Sequence, residues 1–184
     1  MLNKGMSRTE IERELAGKGD FVQIDYLTRF IAQKPPLYEK KFAFMKLIEI
    51  YETKKMFNDV AKIYSNLAIL ATSPQERIDS LIKETKAHIQ SGRFDEGDTV
   101  MRRAMDEVTI VKKADIYEDI KNFYKKEAKE YEKENKRNHA IKVYEKLLSM
   151  KITEQERNEV KGKLLNLYDQ LGKFRESSAL DRRR

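Results

Sequence analysis

Two histidines and no cysteine limit the metal and nucleophile chemistry available to this 184-residue chain. His88 falls at a packing position of an amphipathic segment, and His139 follows the basic pair Lys136-Arg137. A transition-metal site needs several nitrogen, sulfur or carboxylate ligands that converge on one point, and two isolated imidazoles do not supply them. The lack of cysteine excludes thiolate nucleophiles, Cys-bound zinc and disulfides. We therefore expect no metal ion and no cofactor.

Other patterns that could support catalysis are also weak. Gly17-Lys18-Gly19 lacks the third glycine and the preceding strand of a phosphate-binding loop, so we interpret it as a turn. Carboxylates are abundant, but no pair stands out as a general acid and its matching base. We therefore expect that the protein is not an enzyme.

The composition is typical of a folded, charged, helical protein. Hydrophobic residues make up 40% and charged residues 38%, whereas glycine and proline occur only 7 and 3 times. The net charge of +7 arises from 38 basic and 31 acidic residues that alternate along the chain, which favours a surface of solvated ion pairs. The alternative is an acidic partner, either a peptide or a nucleic acid. No apolar run has the length of a signal peptide or a membrane span, and we expect a cytoplasmic protein.

Apolar residues recur at helical spacing almost throughout the sequence, which predicts an all-α fold. Capping boxes at Ser7–Glu10, Ser73–Glu76 and Thr153–Glu156 mark three helix starts. We predict helices at 8–17, 20–33, 36–53, 57–71, 74–90, 93–107, 114–134, 137–150, 154–171 and 174–180. The connections are short, so consecutive helices should pack as antiparallel pairs. We read Val108–Val111 as a helix end or connector, and we expect a single domain over 1–184 with flexible ends at 1–6 and 181–184.

Five similar turns recur along the chain, at Gly19-Asp20-Phe21, Lys55-Met56-Phe57, Gly92-Arg93-Phe94, Asn135-Lys136-Arg137 and Gly172-Lys173-Phe174. Their spacings of 36, 37, 43 and 37 residues indicate a helical repeat array. The long step of 43 residues predicts a longer helix or loop around 108–134. Glycine or asparagine suits the left-handed backbone that often ends a helix, and the aromatic two residues later can close the end of the hairpin.

The residues around these turns resemble the tetratricopeptide-repeat family. In that family, bulky, small and aromatic positions precede the turn glycine, and alternating aromatic and small positions follow it. Phe44, Leu47, Tyr51, Phe57, Val60 and Tyr64 fit those positions around Lys55, and Tyr124, Ala128, Tyr131, Ala140 and Tyr144 fit them around Asn135. The chain departs from the family in its longer period and in Lys55, Asn135 and Arg137 at turn positions. The resemblance implies a right-handed superhelical stack, an α-solenoid, of about five antiparallel helix pairs.

The same resemblance implies a concave groove lined by the first helix of each pair. By the family register, the partner-binding groove would carry Phe42, Met45, Ile82, Lys86, Ile89, Lys125, Lys129 and Lys133. This surface would be apolar toward its N-terminal side and basic in the middle, which suits a protein or peptide with apolar anchors and an acidic stretch. The alternative is that the four apolar members are core residues.

The resulting functional expectation is a non-catalytic protein–protein interaction scaffold that binds a partner segment in this groove. Two alternatives remain open at this stage. One is an RNA-binding helical-repeat protein, although no short polar code recurs at one position of each repeat. The other is an assembly subunit that buries its terminal hairpin against a second copy, because the last pair ends on the weakly polar Ser177–Leu180.

Overall fold

Residues 2–182, which the computed structural model describes, form ten α-helices and no β-strand. This confirms the all-α prediction. The predicted bounds agree to within two residues, except that the seventh helix begins at 110 instead of 114. The helices are α1 (Arg8–Leu15), α2 (Asp20–Ala32), α3 (Leu37–Thr53), α4 (Phe57–Ile69), α5 (Pro74–Gln90), α6 (Phe94–Asp106), α7 (Ile110–Lys133), α8 (Arg137–Ser149), α9 (Glu154–Gln170) and α10 (Phe174–Asp181).

The three predicted helix starts are stabilised by polar side chains at the first turn. In α9, Glu156 N–H donates to Thr153 Oγ1 at 3.2 Å, and Thr153 N–H donates to Glu156 Oε2 at 2.8 Å. This reciprocal pair satisfies two amide groups that would otherwise lack partners at the helix end. In α5, Glu76 N–H donates to Ser73 Oγ, but the Glu76 carboxylate accepts from the backbone of Thr72 instead of Ser73.

A residue with a left-handed backbone conformation follows the end of α3, α5, α7 and α9, as the turn pattern predicts. Lys55, Gly92, Asn135 and Gly172 have φ angles of 56°, 74°, 56° and 67°. The amide of the next residue reaches back across the turn, as in Met56 N–H to Tyr51 O at 2.8 Å. The first turn corrects the prediction: Gly17 is the left-handed residue (φ 72°), whereas Gly19 is the N-cap of α2.

The aromatic residue after each turn closes the hairpin only in some repeats. Phe57 and Phe94 are partly buried, and the Phe94 ring packs edge-on against Tyr124 with 5.7 Å between centroids. Phe21 and Phe174, in contrast, are 73% and 67% exposed. The expectation that this aromatic seals the hairpin is therefore wrong for the first and last turns.

Helix bounds repeat at an interval of 80 residues. α4 and α8 have 13 residues each and begin at 57 and 137, and α5 and α9 have 17 residues each and begin at 74 and 154. α3 corresponds in the same way to the last 17 residues of α7, which has 24. The seven additional residues form about two helical turns, and they account for the 43-residue step between turns as a longer helix.

Backbone contacts group the chain into two compact units. Unit 1 comprises the residues up to Ser91 together with Asp95–Glu107, and unit 2 comprises Gly92–Phe94 and the residues from Val108 onward. The prediction of a single domain stays a prediction. In unit 1, helices α2 to α5 pack consecutively, and Gly97 of α6 lies against α5, where an added Cβ would be 3.5 Å from the Cβ of His88. In unit 2, α7 to α10 pack consecutively.

The core of each unit is built from apolar residues at helical spacing. The core of unit 1 includes Ile11, Leu27, Phe30, Phe44, Leu47, Val60 and Tyr64. Buried side chains of unit 2 include Ile120, Tyr124, Ala128, Tyr144, Leu147, Leu164 and Tyr168. Tyr64, Tyr124, Tyr144 and Tyr168 are all less than 10% exposed and contribute to packing. Tyr51 and Tyr131, at two other predicted repeat positions, are partly buried.

The predicted flexible N-terminus is partly held in place. Leu2 is 3% exposed, and its carbonyl accepts from Gln33 Nε2 at 3.0 Å, which corrects the prediction for this residue. Asp181 ends α10, while Met1, Arg183 and Arg184 lie outside the described residues. Across residues 2–182, no helix combines the length and the apolar composition needed to cross a membrane.

Candidate partner-binding faces

One face of α3 in unit 1 exposes apolar side chains at helical spacing. Tyr38, Phe42 and Met45 stand at positions i, i+4 and i+7, and Glu49 follows on the same face. Tyr38 is 60% and Met45 41% exposed, while Phe42 is half-buried beside the core. We call these four residues the α3 face. The structure thus places the predicted Phe42 and Met45 on an accessible surface and adds Tyr38.

Cations from α1 and α3 lie against this face. The Arg8 guanidinium carbon lies 3.3 Å above the centre of the Tyr38 ring and 5.2 Å from that of Phe42. Further along, Lys46 Nζ lies 5.6 Å from the Phe42 ring centre. Lys46 Nζ also pairs with Glu12 at 3.5 Å and Glu49 at 3.2 Å. Since Arg8 meets the start of α3 and Glu12 reaches its middle, α1 and α3 lie side by side in the same direction.

The three predicted groove residues of α5 differ in their accessibility. Ile82 is partly buried against a cluster formed by Ala68, Leu81, Val100 and Ala104, and Lys86 is half-buried. Ile89 is 0% exposed and contributes to the core. The side chain of Ile89 therefore cannot reach a partner in this structure, which corrects its assignment to the surface. α6 approaches Ile89 closely, since a Cβ added at Gly97 would lie 3.7 Å from Ile89 Cγ1.

The predicted lysines of α7 in unit 2 have different surroundings. Lys125 Nζ donates to Glu156 Oε1 at 2.6 Å, so its charge is already compensated within the unit. Lys133 pairs with Glu130 at 2.7 Å on the exposed side of the helix. Lys129 is exposed, and among residues 2–182 no carboxylate is paired with it. Of these three lysines, Lys129 is thus the one whose charge is uncompensated among the described residues.

Glu156 is the centre of this ion-pair network. Its carboxylate accepts from Lys125, from the backbone of Thr153 and from Lys121, whose Nζ lies 3.1 Å away. These bonds, led by the one from Lys125, lower the pKa of Glu156 to about 2. Lys121 is 95% buried as a residue and also pairs with Glu118 at 2.8 Å. The network ties α7 to the start of α9.

The same ion pair occurs 80 residues earlier in unit 1. Lys41 of α3 donates to Glu76, which stands at the third position of α5 as Glu156 does in α9. The bond from Lys41 is the main reason that the pKa of Glu76 falls to about 2. Lys41 and Lys121 therefore have the same structural role: the first links α3 to α5, and the second links α7 to α9. The corresponding α7 positions of Phe42 and Met45 are Asn122 and Lys125, so the two units differ in the chemistry of this face.

The two histidines belong to different units and have different surroundings. His88 is 9% exposed, and its Nε2 lies 3.9 Å from Glu84 Oε1, beyond hydrogen-bond distance. Burial raises the pKa of Glu84, although a hydrogen bond from Ser65 and the charge of Arg103 act against it. His139 is exposed and packs against Tyr131 with 5.3 Å between ring centres. Within residues 2–182, no three His, Cys, Asp or Glu side chains converge in a way that could hold a metal ion.

Sequence reasoning missed Arg8 and Tyr38. The i, i+4, i+7 spacing of Tyr38, Phe42 and Met45 is visible in the sequence and could have identified Tyr38. The stacking of Arg8 on Tyr38 joins residues 30 positions apart, and no local pattern predicts it. Comparisons with models of known protein families, with curated proteins and with solved structures found no match.

Proposed function

We propose that this protein is a non-catalytic interaction scaffold that binds a segment of a partner protein, and that its helix pairs stack as an α-solenoid of the tetratricopeptide-repeat type. The observation that carries the proposal is the α3 face. Tyr38, Phe42 and Met45 form one apolar stripe on the first helix of a pair, and two of the three are more than 40% exposed. Contiguous exposed apolar side chains rimmed by charges are typical of interaction sites.

Three features support the solenoid arrangement. The turns end in left-handed residues at the repeat spacing. Helix bounds recur after 80 residues, which corresponds to two repeats of about 40 residues, within the range of helical repeats. The ion pairs Lys41–Glu76 and Lys121–Glu156 join successive first helices in the same register in both units.

The predicted groove lysines of α7 favour a protein partner over RNA. Binding to a nucleic acid gains most of its free energy from cations that neutralise phosphates. Of the three predicted groove lysines of α7, Lys125 and Lys133 already have carboxylate partners, so among these three only Lys129 is left to neutralise a phosphate. A scaffold that binds a polypeptide does not require that charge.

The test compares capture of partners from a native lysate by the wild type and by a Tyr38→Ser/Met45→Ser double variant. Both side chains are exposed, so we expect the double variant to keep the wild-type melting temperature and to lose the partner. Ile69→Ser is the matched control, because it removes an apolar side chain that is 73% exposed on α4 of the same unit. The captured protein is then purified and its affinity measured directly. Equal affinity for the wild type and the double variant would contradict the proposed function of the α3 face.

The C-terminal helix gives one observation that favours self-assembly as a second candidate function. α10 contains no buried residue, and a cavity of about 430 Å³ lies between α8, α9 and α10, lined by residues that include Leu148, Tyr168 and Leu180. A helix that buries no side chain adds little stability by itself. If this end pairs with a second copy, light scattering will detect a dimer in the wild type and a monomer after Leu180→Glu. A wild-type monomer at all concentrations would exclude this candidate.

A further inference from the structure

Arg8 is a cation that the protein holds in place without neutralising. Its guanidinium stacks on Tyr38, while its Nε is buried and makes no hydrogen bond. Among residues 2–182, Arg8 has no carboxylate partner. Other arginines of unit 1 do have one: Arg29 pairs with Asp25 at 2.8 Å and Arg77 with Glu107 at 2.8 Å.

The contact with Tyr38 places the Arg8 guanidinium over the face of the ring, and it does not occupy the terminal nitrogens of Arg8 as hydrogen-bond donors. An arginine that stacks through its flat face keeps its N–H donors in the plane of the group, where they can meet both oxygens of a carboxylate. The aromatic ring restricts the orientation of the side chain, so that less entropy is lost when a ligand binds. Arg8 is therefore a preorganised donor at the end of the α3 face.

The lysines elsewhere near this face have carboxylate partners. Lys46, beside Phe42, pairs with Glu12 and Glu49, and Lys41 pairs with Glu76. The uncompensated positive charge is thus located at the Tyr38 end, next to the apolar surface of Phe42 and Met45. Electrostatic complementarity then selects a negative group at one end of the ligand and an apolar side chain beside it.

We propose that the α3 face and Arg8 together bind a partner segment in which an Asp or Glu side chain lies next to a large apolar side chain. The carboxylate accepts hydrogen bonds from the terminal nitrogens of Arg8, and the apolar side chain packs on Phe42 and Met45. This inference rests on the proposed function. It specifies the chemistry of the bound segment and identifies Arg8 as the residue that recognises its negative charge.

The corresponding face of unit 2 has none of these features. Glu118, Asn122 and Lys125 occupy the positions 80 residues after Tyr38, Phe42 and Met45, so that face has neither the aromatic platform nor the apolar stripe. The site therefore belongs to the first unit and is not a general property of the repeat.

The experiment selects peptides from a random dodecapeptide library on immobilised full-length protein. The library is fused through its C-terminus, so that only side chains can supply carboxylates. Wild type, Arg8→Gln and the Tyr38→Ser/Met45→Ser variant are used in parallel. Arg29→Gln is the matched control, because Arg29 is an exposed arginine of the same unit that already has a carboxylate partner.

We expect wild type and Arg29→Gln to select peptides with Asp or Glu beside Leu, Phe, Met or Trp. A synthetic peptide of the selected sequence should bind Arg8→Gln about tenfold more weakly, and replacing its acidic residue by the amide should weaken binding to wild type equally. Arg8→Lys should recover little, because an ammonium group lacks the planar donor pair.

Two other results separate the inference from the proposed function. If the selected peptides need Tyr38 and Met45 but carry no acidic residue, or bind Arg8→Gln as well as wild type, the role of Arg8 is overturned and the scaffold function stands. If no selected peptide depends on the α3 face, both proposals are overturned.

Discussion

Neutralising Glu156 should destabilise unit 2 by about 2 kcal/mol. Glu156→Gln keeps an acceptor for the Thr153 amide, because glutamine also forms capping boxes, but it removes the negative charge that faces Lys121 and Lys125. The pKa of Glu156 falls from 4.5 to about 2 in the folded protein, which sets an upper limit of about 3 kcal/mol for the stabilisation. Solvent screening reduces this value, since Lys125 is 30% and Glu156 18% exposed. Lys121 keeps Glu118 as a partner and prevents a larger loss.

The pH dependence gives the sign of this contribution independently. The folded pKa lies below the unfolded one, so the stabilisation is complete above about pH 5 and is lost as the pH falls from 4.5 toward 2. The stability difference between wild type and Glu156→Gln should therefore be largest near neutral pH and should vanish in strong acid.

Urea unfolding between pH 7 and pH 2.5, combined with hydrogen exchange of the α9 amides, measures both quantities. Glu154→Gln is the control: it removes a carboxylate from the same helical turn, but that side chain is 79% exposed and lies 4.0 Å from its nearest cation. We expect this control to lose less than about 0.5 kcal/mol. Equal losses for the two variants at pH 7, or a difference that persists unchanged at acid pH, would refute the assignment of Glu156 as the centre of the network.

Four further predictions concern packing, charge and backbone. Gly97→Ala should leave stability equal or slightly raised, because its Cβ would sit at ordinary contact distances and alanine favours the helix. Gly97→Leu should cost about 1–3 kcal/mol by overpacking, as chemical denaturation will show. Tyr144→Ala should cost about 3–5 kcal/mol because the side chain is 4% exposed; a loss below about 1 kcal/mol would contradict its core position. Lys129→Glu should leave the melting temperature unchanged, whereas Lys125→Glu should lower it by facing Glu156 with a like charge. Lys55→Gly should raise the melting temperature slightly, since glycine adopts the φ of 56° without steric cost, and a fall would contradict this.

The helices could be predicted well, because the features that start and end a helix involve residues that are close together in the sequence. Capping boxes, left-handed turn residues and apolar spacing each involve residues within one or two helical turns. Ser73 and Thr153 therefore marked the starts of α5 and α9 correctly. The start of α7 was missed because Thr109, at its N-cap, is not followed by an acidic residue three positions later and its side chain makes no capping hydrogen bond. The apolar Ile110 and Val111, which are exposed, also resemble a buried or strand-like segment in the sequence.

The surface assignments were harder, because they depend on contacts between helices that are distant in sequence. Lys125 looked like an accessible cation, but Glu156 neutralises it from 31 residues away. Ile89 looked like a groove residue, but it is buried, and Gly97 of α6 approaches it closely. In both cases the helical register gave the direction of the side chain but not what lies opposite. Arg8 was overlooked for the same reason, since its position on Tyr38 follows from the packing of α1 beside α3.

Positions 80 residues apart show which side chains keep the same contact in both units and which differ. Lys41 and Glu76 reappear as Lys121 and Glu156, with the same bond between successive first helices. On the same helix, Phe42 next to Lys41 corresponds to Asn122, and Met45 one turn further on corresponds to Lys125. The Lys–Glu pair is constrained by packing, because loss of either charge leaves the other without its main partner. An exposed face is constrained mainly by its ligand. If the two units bind ligands of different chemistry, we expect this face to change from apolar to polar residues while the helix bounds stay the same.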